Sequence, residues 1–332
     1  MAAINDALRT WHTSLSISYP TGVAVLAALG VLVILVPILS AFKLFIQLAF
    51  VPGTNLKKFG AGQGAWAVIT GCTDGIGREF ALQLAKAGFN VVLLSRTESK
   101  LKALAAEIES KFAVQTLHCA IDYSIHDNKA GYAAVESVLS GIRIGVLVNN
   151  VGMPASVFAN FDETPAEDID GILEVNIRAT TCMTRIVLPN MLQRKNGLIL
   201  NIGSFSGVVP SPMIATYSAS KAFISSWSQS LAAEYKPLGV TIQNVCASYV
   251  VSKLAVIDRP SMMVPMPKPY VECVLAKIGV PCGAIDCTAT SNPYWSHAIM
   301  GWVHTIVPLP SLWITISHHL QKRGQKETQK VR

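Results

Sequence analysis

Short apolar runs that alternate with helical segments constrain the fold of this chain most strongly. Six runs rich in Val, Ile and Leu recur between residues 65 and 247; they are AWAVIT (65–70), NVVLLS (90–95), VQTLHCAI (114–121), IGVLVNN (144–150), GLILNI (197–202) and VTIQNVCA (240–247). Most precede a segment with helical periodicity, such as GIGREFALQLAKAG, which Gly88 would end. The alternation predicts an α/β fold with a mostly parallel sheet that helices cover on both faces.

An uncharged stretch precedes this region. Residues 23–41 form a run of 19 residues without a charge, which spans about 28 Å as a helix. A secretory signal peptide has a shorter apolar core, and a buried core helix is the other alternative. Arg9 precedes the run, whereas Lys43, Lys57 and Lys58 follow it. We therefore predict a transmembrane anchor, with the rest of the chain on the cytosolic side.

Composition agrees with contact between the chain and lipid. Apolar residues make up 51% of the chain and charged residues only 14%, which is few for a soluble protein. The last twelve residues, QKRGQKETQKVR, hold five basic residues and Glu327, so they supply +4 of the net charge of +7. A tail of this kind suits an anionic membrane surface or a cytosolic partner. No basic stripe with aromatic residues occurs elsewhere, so we predict no nucleic-acid partner.

Cysteine and histidine spacing argues against metal binding. The seven cysteines are scattered without a CxxC pair, and the seven histidines show no ligand spacing. We therefore expect reduced thiols, as in the cytosol, and no metal site.

A second apolar stretch lies near the C-terminus. Residues 294–320 contain no Lys, Arg, Asp or Glu, and they include three tryptophans. Pro308 and Pro310 would break a helix there, and tryptophan favours the membrane interface. An interfacial or re-entrant segment is the prediction, with a second span or a buried C-terminal element as alternatives.

The segment TGCTDGIG (70–77) follows the first predicted strand directly and has glycines at 71, 75 and 77. Glycine reaches backbone angles closed to other residues, and it lets a helix N-terminus approach a pyrophosphate. The position of the loop between a strand and a helix predicts a dinucleotide site in a Rossmann-type, doubly wound sheet.

The end of the second strand, LLSR, indicates which dinucleotide binds. Arg96 stands where an acidic residue would recognise an unphosphorylated ribose. A guanidinium fits a 2′-phosphate bidentately, so the site favours NADPH, unless Arg96 is an ordinary surface arginine. Arg78 is a weaker candidate for the same contact. Asp122 could accept a hydrogen bond from the adenine amino group or could cap a helix.

Tyr217 and Lys221 are the candidates for proton transfer. They are four residues apart, so they share one face of a helix, unless they are only a surface pair. We expect the ammonium to lower the tyrosine pKa, so that Tyr217 can protonate a carbonyl oxygen. Ser204, thirteen residues earlier, lies just past a predicted strand and could hold that oxygen. Ser206 is expected to serve the turn instead.

Together these motifs resemble the short-chain dehydrogenases/reductases over about residues 65–280. TGCTDGIG, NNVG (149–152), Asn176, Ser204 and YSASK (217–221) occur in that family's order and spacing. The resemblance implies a catalytic tetrad of Asn176, Ser204, Tyr217 and Lys221. In it, Lys221 also holds the nicotinamide ribose, and Asn176 holds a water that resupplies protons. Asn176, predicted to lie within a long helix, could also brace the backbone. The cofactor contacts it implies are Gly71, Thr73, Asp74, Gly75, Ile76, Gly77, Arg96, Asp122, Asn149, Tyr217, Lys221 and Val250.

A narrower resemblance rests on ILNIGSFSGVVPSPMIATYSASKAF, VVSKL, SNPYWSHA and the N-terminal span. These look like the fungal very-long-chain 3-oxoacyl-CoA reductases, which are endoplasmic reticulum (ER) membrane enzymes of fatty-acid elongation. The resemblance implies NADPH-dependent reduction of a long-chain acyl-CoA substrate, a cytosol-facing catalytic domain, and association with other elongation enzymes. One departure is that Ser248-Tyr249 replaces the Pro-Gly usual after the sixth strand.

Two other functions stay open. A membrane-bound hydroxysteroid (17-beta type) or retinoid dehydrogenase would use the same tetrad and anchor, and a non-catalytic membrane scaffold could keep the nucleotide fold. The predicted organisation is an N-terminal segment (1–22), the anchor (23–41), a linker (42–64), a Rossmann-type reductase domain (65–290), a membrane-associated segment (291–320) and a basic tail (321–332).

Overall fold

The computed structural model describes residues 2–18, 20–252, 259–284 and 289–331. The chain divides into two compact units, Met1–Ala49 and Phe50–Arg332. The first unit consists of helices α1 (Ala2–Ser18) and α2 (Pro20–Ala49).

Helix α2 contains the predicted anchor. It is long and apolar enough to cross a membrane by length and composition. Its interior Pro37 does not end it, which fits a helix in a bilayer, where such prolines are tolerated. The predicted anchor ended at residue 41, but α2 continues to Ala49, so the first eight residues of the predicted linker are helical.

The second unit is built on a seven-stranded, wholly parallel sheet in the order β3-β2-β1-β4-β5-β6-β7. Its strands are β1 (Trp66–Thr70), β2 (Asn90–Ser95), β3 (Thr116–Ala120), β4 (Ile144–Asn149), β5 (Gly197–Ser204), β6 (Val240–Ala247) and β7 (Thr290–Ser291). The order confirms the predicted doubly wound sheet. The chain changes direction between β1 and β4, which opens a crevice at their carboxyl ends.

Helices cover both faces of this sheet. The helices of the second unit are α3 (Gly75–Lys86), α4 (Glu98–Lys111), α5 (Lys129–Leu139), α6 (Ala166–Ile172), α7 (Ala179–Gln193), α8 (Ala215–Tyr235), α9 (Pro267–Ala276), α10 (Trp295–Ile306) and α11 (Pro310–Val331). Of these, α3, α4, α5, α7 and α8 pack directly on the strands. In β1, Ala67 and Ile69 enter one apolar core, whereas Trp66 and Val68 enter the other. Because both faces are buried, strand β1 is continuously apolar rather than alternating.

Three features of the second unit differ from the sequence prediction. Strand β5 extends to Ser204, two residues beyond the predicted end. Strand β7 was not predicted, because two residues carry no periodic pattern. Phe59 in the predicted linker is buried against the apolar core, so the linker's second half belongs to the folded unit.

The C-terminal region forms α10 and α11, separated near Pro308 and Pro310 as the prolines predict. Helix α11 runs through the predicted basic tail, and Gln321 at the start of that tail is 4% exposed. The predicted basic tail is therefore not separate from the folded unit at Gln321, which lies on the inner face of α11.

Candidate active site

The glycine loop between β1 and α3 needs its glycines. Gly71 and Gly75 have φ of +64° and +52°, in the left-handed region that glycine adopts without strain. A Cβ on Gly77 would collide with the carbonyl oxygen of Gly71. Asp74 caps α3 by accepting a hydrogen bond from the Gly75 N–H at 2.8 Å. The N-terminus of α3 is therefore held at the edge of the crevice, where a pyrophosphate would bind.

Asn150, from the NNVG motif, supports the loop from the neighbouring strand. Its side-chain amide donates to the carbonyl oxygens of Thr70 at 3.1 Å and Gly71 at 3.0 Å. Sequence reasoning missed Asn150, although the quoted motif contains it. It also missed Ser252, whose Cβ would lie 3.3 Å from a Cβ on Gly75. The segment after β6 thus reaches the N-terminus of α3.

The end of β2 presents the predicted cofactor-selecting residue. Arg96 is exposed directly after β2, and the hydroxyls of Ser95 and Thr73 lie 2.9 Å apart beside it. Arg78 is paired with Glu107 at 2.5 Å. Since its charge is already engaged, Arg78 is the poorer ligand for a phosphate.

Asp122 lies close enough to Arg96 to feel its charge. Burial raises the pKa of this carboxyl, but hydrogen bonds from Ser124 and the charge of Arg96 outweigh burial and lower it. The carboxylate accepts from the Ser124 N–H at 2.9 Å and hydroxyl at 2.7 Å. It therefore caps a turn rather than a helix, and α5 is capped by Asn128. The predicted adenine contact stays a prediction.

Three predicted cofactor contacts have side chains directed elsewhere. Asn149 is 3% exposed and donates to Asn201 at 2.8 Å and Thr184 at 3.0 Å. Ile76 packs against the apolar core, and Val250 is buried within it. Asn149 thus braces the sheet through its side chain, and the cofactor contacts of these three residues stay predictions.

The residues predicted to handle protons meet where β5 ends. Lys221 Nζ lies 5.8 Å from the centroid of the Tyr217 ring, one turn earlier on α8. It donates to the carbonyl oxygen of Ile202 at 2.8 Å. Ser204, the last residue of β5, forms a hydrogen bond with the Tyr217 side chain. The register of β5 and α8 therefore assembles Ser204, Tyr217 and Lys221, as predicted.

The predicted electrostatics of this group need correction. We expected Lys221 to lower the pKa of Tyr217, but burial raises this pKa, and the bond from Ser204 only partly offsets it. Burial also lowers the pKa of Lys221 to about 8. The low-polarity surroundings disfavour both a phenolate at Tyr217 and an ammonium at Lys221. This effect of burial exceeds the mutual attraction that the two charges would have. Tyr217 is therefore held protonated, as a proton donor must be.

Asn176 lies in a π-helical turn (Leu173–Arg178) that joins α6 to α7. Its side chain accepts from the Met153 N–H at 2.7 Å and donates to the Met153 carbonyl at 3.1 Å. It also donates to Ser220 Oγ at 2.9 Å, and Ser220 donates to the Tyr217 carbonyl at 2.7 Å. These contacts support the bracing role left open by the sequence. Asn176 ties the loop after β4 to the helix that carries Tyr217 and Lys221.

Ser206 serves the turn through its backbone, whereas the sequence predicted a hydrogen bond from its side chain. Its N–H donates to Ser204 Oγ at 3.2 Å, and its carbonyl accepts from Ser218 Oγ at 2.5 Å. Ser204 therefore receives one backbone hydrogen bond while its own hydroxyl is directed to Tyr217.

A histidine that the sequence did not identify orders the Ser248-Tyr249 segment. His297 is 1% exposed, and its Nδ1 accepts from the Ser248 N–H at 3.4 Å. Its Nε2 lies 3.2 Å from the Met263 carbonyl, so a neutral ring satisfies both contacts. Burial lowers the pKa of His297, in agreement with the neutral form.

Tyr249 reaches the catalytic group from the same segment. Its side chain forms a hydrogen bond with Gln321 of α11, and its charge would raise the pKa of Tyr217. Tyr249 therefore adds a second phenol near Tyr217, at a position where the broader family usually has glycine.

These features define a dinucleotide-dependent oxidoreductase. The glycine cradle, which a Cβ would fill, and the N-terminus of α3 fit a pyrophosphate, while Tyr217 and Ser204 fit a carbonyl substrate. The chain matches the short chain dehydrogenase family over residues 65–261. It belongs to this family, and a nicotinamide dinucleotide is its cofactor.

Two named relatives and one solved structure are similar to this chain. A very-long-chain 3-oxoacyl-CoA reductase of Coprinopsis cinerea is 47% identical over 303 residues, which are 91% of this chain and 89% of the relative. A protein of the same name from Laccaria bicolor is 49% identical over 287 residues, 86% of this chain and 85% of the relative. A short-chain dehydrogenase from Sphingobium yanoikuyae, solved with NADPH, is 33% identical with a TM-score of 0.58, covering 64% of this chain and 83% of that one.

Proposed function

We propose that this chain reduces very-long-chain 3-oxoacyl-CoA to 3-hydroxyacyl-CoA with NADPH. The observation that carries the proposal is the assembly of Ser204, Tyr217 and Lys221 beside the glycine cradle. The similarity to two fungal reductases over more than four fifths of their length supports the substrate class.

The residues of the catalytic group have separate roles in protonating the substrate. The nicotinamide, when bound, supplies the hydride. Ser204 donates a hydrogen bond to the substrate's 3-oxo oxygen, which stabilises the negative charge that develops there. Tyr217 gives its proton to the same oxygen, and its raised pKa keeps that proton in place until the oxygen becomes basic. Lys221 stabilises the phenolate that remains, and Asn176 keeps α8 in position through Ser220.

Arg96 supports NADPH rather than NADH as the reductant. It is exposed at the carboxyl end of β2, where a 2′-phosphate would lie, and its charge is felt by Asp122. A free guanidinium fork matches the geometry of that phosphate. An acidic side chain in the same place would repel it.

We further propose that α2 anchors the chain in the ER membrane, with the catalytic unit in the cytosol. The length and apolar composition of α2 support an anchor, and the basic residues after it support the orientation. A bilayer-partitioned acyl chain gains about 0.8 kcal/mol per buried CH₂, so an anchored enzyme meets its substrate where it concentrates. Association with other elongation enzymes rests on the resemblance to those membrane enzymes.

Side-by-side kinetics test the substrate. The full chain in detergent is given NADPH with either a long-chain 3-oxoacyl-CoA or a 17-ketosteroid, and NADPH oxidation is followed. We expect kcat/KM to favour the acyl-CoA. A preference for the ketosteroid would assign the hydroxysteroid alternative, and oxidation with neither ketone would revive the scaffold alternative.

A further inference from the structure

Helix α11 has a buried face and an exposed face that differ in character. Ser317 and Gln321, four residues apart on one face, are 9% and 4% exposed. Gly324 continues this face, where a Cβ would lie 2.9 Å from the Phe158 ring. The inner face of α11 is therefore polar and closely packed.

The inner face contacts all three loops that leave the carboxyl ends of β4, β5 and β6. Ser317 Oγ donates to Ser211 Oγ at 3.0 Å in the loop after β5. Gln325 donates to the Phe158 carbonyl at 2.7 Å in the loop after β4. Gln321 forms a side-chain hydrogen bond with Tyr249, which lies in the loop after β6. Since these loops surround Tyr217, α11 forms one wall of the substrate entrance.

An apolar stripe lies on another, exposed face of the same helix. Leu312, Ile316 and Leu320 are four residues apart, so they line one face, and Leu309 lies just before the first turn of the helix. These four side chains are between 41% and 53% exposed. We call them the α11 stripe. Because its side chains are exposed, the stripe is not part of the reductase core among the described residues. No charged residue lies between its first and last members.

Cations flank the α11 stripe at its C-terminal end. Arg323 is three residues after Leu320 and adjoins the stripe, while Lys322 and Lys326 share the next face. All three are exposed. An apolar face bordered by exposed cations is the pattern of a helix that lies in the interface of an anionic bilayer.

We propose that the α11 stripe docks on the surface of an anionic phospholipid bilayer, with Leu309, Leu312, Ile316 and Leu320 among the acyl chains and the three cations on the lipid phosphates. Charge complementarity and the membrane anchor in the same chain favour a bilayer over a protein partner. The docking extends the proposed membrane association, and it places the substrate-entrance wall directly on the lipid that would supply an acyl substrate.

Photocrosslinking to lipid tests the docking. The full chain is reconstituted in vesicles of phosphatidylcholine with or without phosphatidylserine, each containing a lipid with a photoreactive acyl chain, and labelled peptides are identified by mass spectrometry. We expect label in the peptide that holds the α11 stripe, at about threefold or more the level in the peptide around Leu238, an equally exposed leucine on another surface. Phosphatidylserine should increase the label in α11.

Charge variants sharpen the same experiment. Lys322→Gln/Arg323→Gln/Lys326→Gln should remove the increase that phosphatidylserine causes. The matched control Lys100→Gln/Lys195→Gln/Lys236→Gln loses the same charge from exposed positions elsewhere and should keep that increase. Label in the stripe no higher than around Leu238, or an effect of phosphatidylserine that the α11 variant retains, would overturn the proposal.

The label is measured without substrate or cofactor. The absence of lipid label in the α11 stripe would therefore refute the docking of α11 without bearing on the proposed reduction. NADPH oxidation tests the reduction separately.

Discussion

The active-site crevice has a cofactor end, where β2 ends, and a catalytic end, where β5 ends, and the two differ in how they surround a positive charge. At the end of β2, Arg96 is exposed, and its charge is available to a phosphate. At the end of β5, Lys221 is 7% exposed, and burial lowers its pKa to about 8. The cofactor end uses a solvated cation and glycine backbone, whereas the catalytic end uses a buried cation and a buried phenol.

This difference predicts that substitutions at the two ends have different effects. A solvated cation contributes mainly to binding and selectivity, because water already stabilises its charge. A buried cation has few other partners, so its effect on a neighbouring phenolate is larger. We therefore expect substitutions at the catalytic end to lower turnover and those at the cofactor end to change the cofactor KM.

The largest effect is expected at Tyr217. Tyr217→Phe removes the proton donor but keeps the ring, so kcat should fall about a thousandfold in a steady-state assay of NADPH oxidation. Tyr249→Phe is the matched control, because it removes the other nearby phenol and its bond to Gln321. A loss in Tyr249→Phe as large as that in Tyr217→Phe would contradict the assignment of the donor.

The next largest effect on kcat is expected at Ser204. Ser204→Ala removes the hydrogen bond to the developing oxyanion, so kcat should fall about a hundredfold. Ser206→Ala leaves the backbone contacts of Ser206 in place and should change kcat less than about twofold. The kcat of both variants is measured under the same conditions. A larger fall in kcat for Ser206→Ala than for Ser204→Ala would refute the role of Ser204.

At the cofactor end, Arg96→Gln should raise KM for NADPH about tenfold or more and leave KM for NADH nearly unchanged, because only NADPH carries the 2′-phosphate. Arg78→Gln is the control, since Arg78 is engaged by Glu107. Equal losses with both cofactors in Arg96→Gln would show that Arg96 does not read the phosphate.

The last effect concerns stability rather than kinetics and is set by the Lys221 pKa. This pKa is about 8 in the folded state and 10.5 in the reference state, so the unfolded chain binds more protons between these pH values. The free energy of unfolding of the wild type, relative to Lys221→Met, should therefore rise by about 2 to 3 kcal/mol from pH 8 to 10.5 and stay level below pH 8. Urea unfolding of both proteins across this range measures it, and a constant difference would contradict a buried, desolvated lysine.

The sheet and the shared helix face of Tyr217 and Lys221 were predictable from sequence, because strand patterns and the spacing of four residues on a helix are local properties. The place of Ser204 was predicted from its position after a strand and from the spacing of the family that the chain resembles. The sign of the Tyr217 pKa shift was not, because it depends on how closely distant segments bury the phenol. His297 and Gln321 could not be assigned either, since each meets the site through tertiary packing at long separation in sequence. The predicted contact of Asn149 with the cofactor stays a prediction, and the partners of its side chain, Asn201 and Thr184, lie on elements distant in sequence.

The most direct test of the account is NADPH oxidation by the full chain in detergent, with 3-oxoacyl-CoA substrates of graded length and with Tyr217→Phe as the matched variant. We predict that one 3-hydroxyacyl-CoA forms for each NADPH consumed, that long acyl chains give the higher kcat/KM, and that Tyr217→Phe is nearly inactive. No oxidation at any chain length, or undiminished oxidation by Tyr217→Phe, would contradict the account.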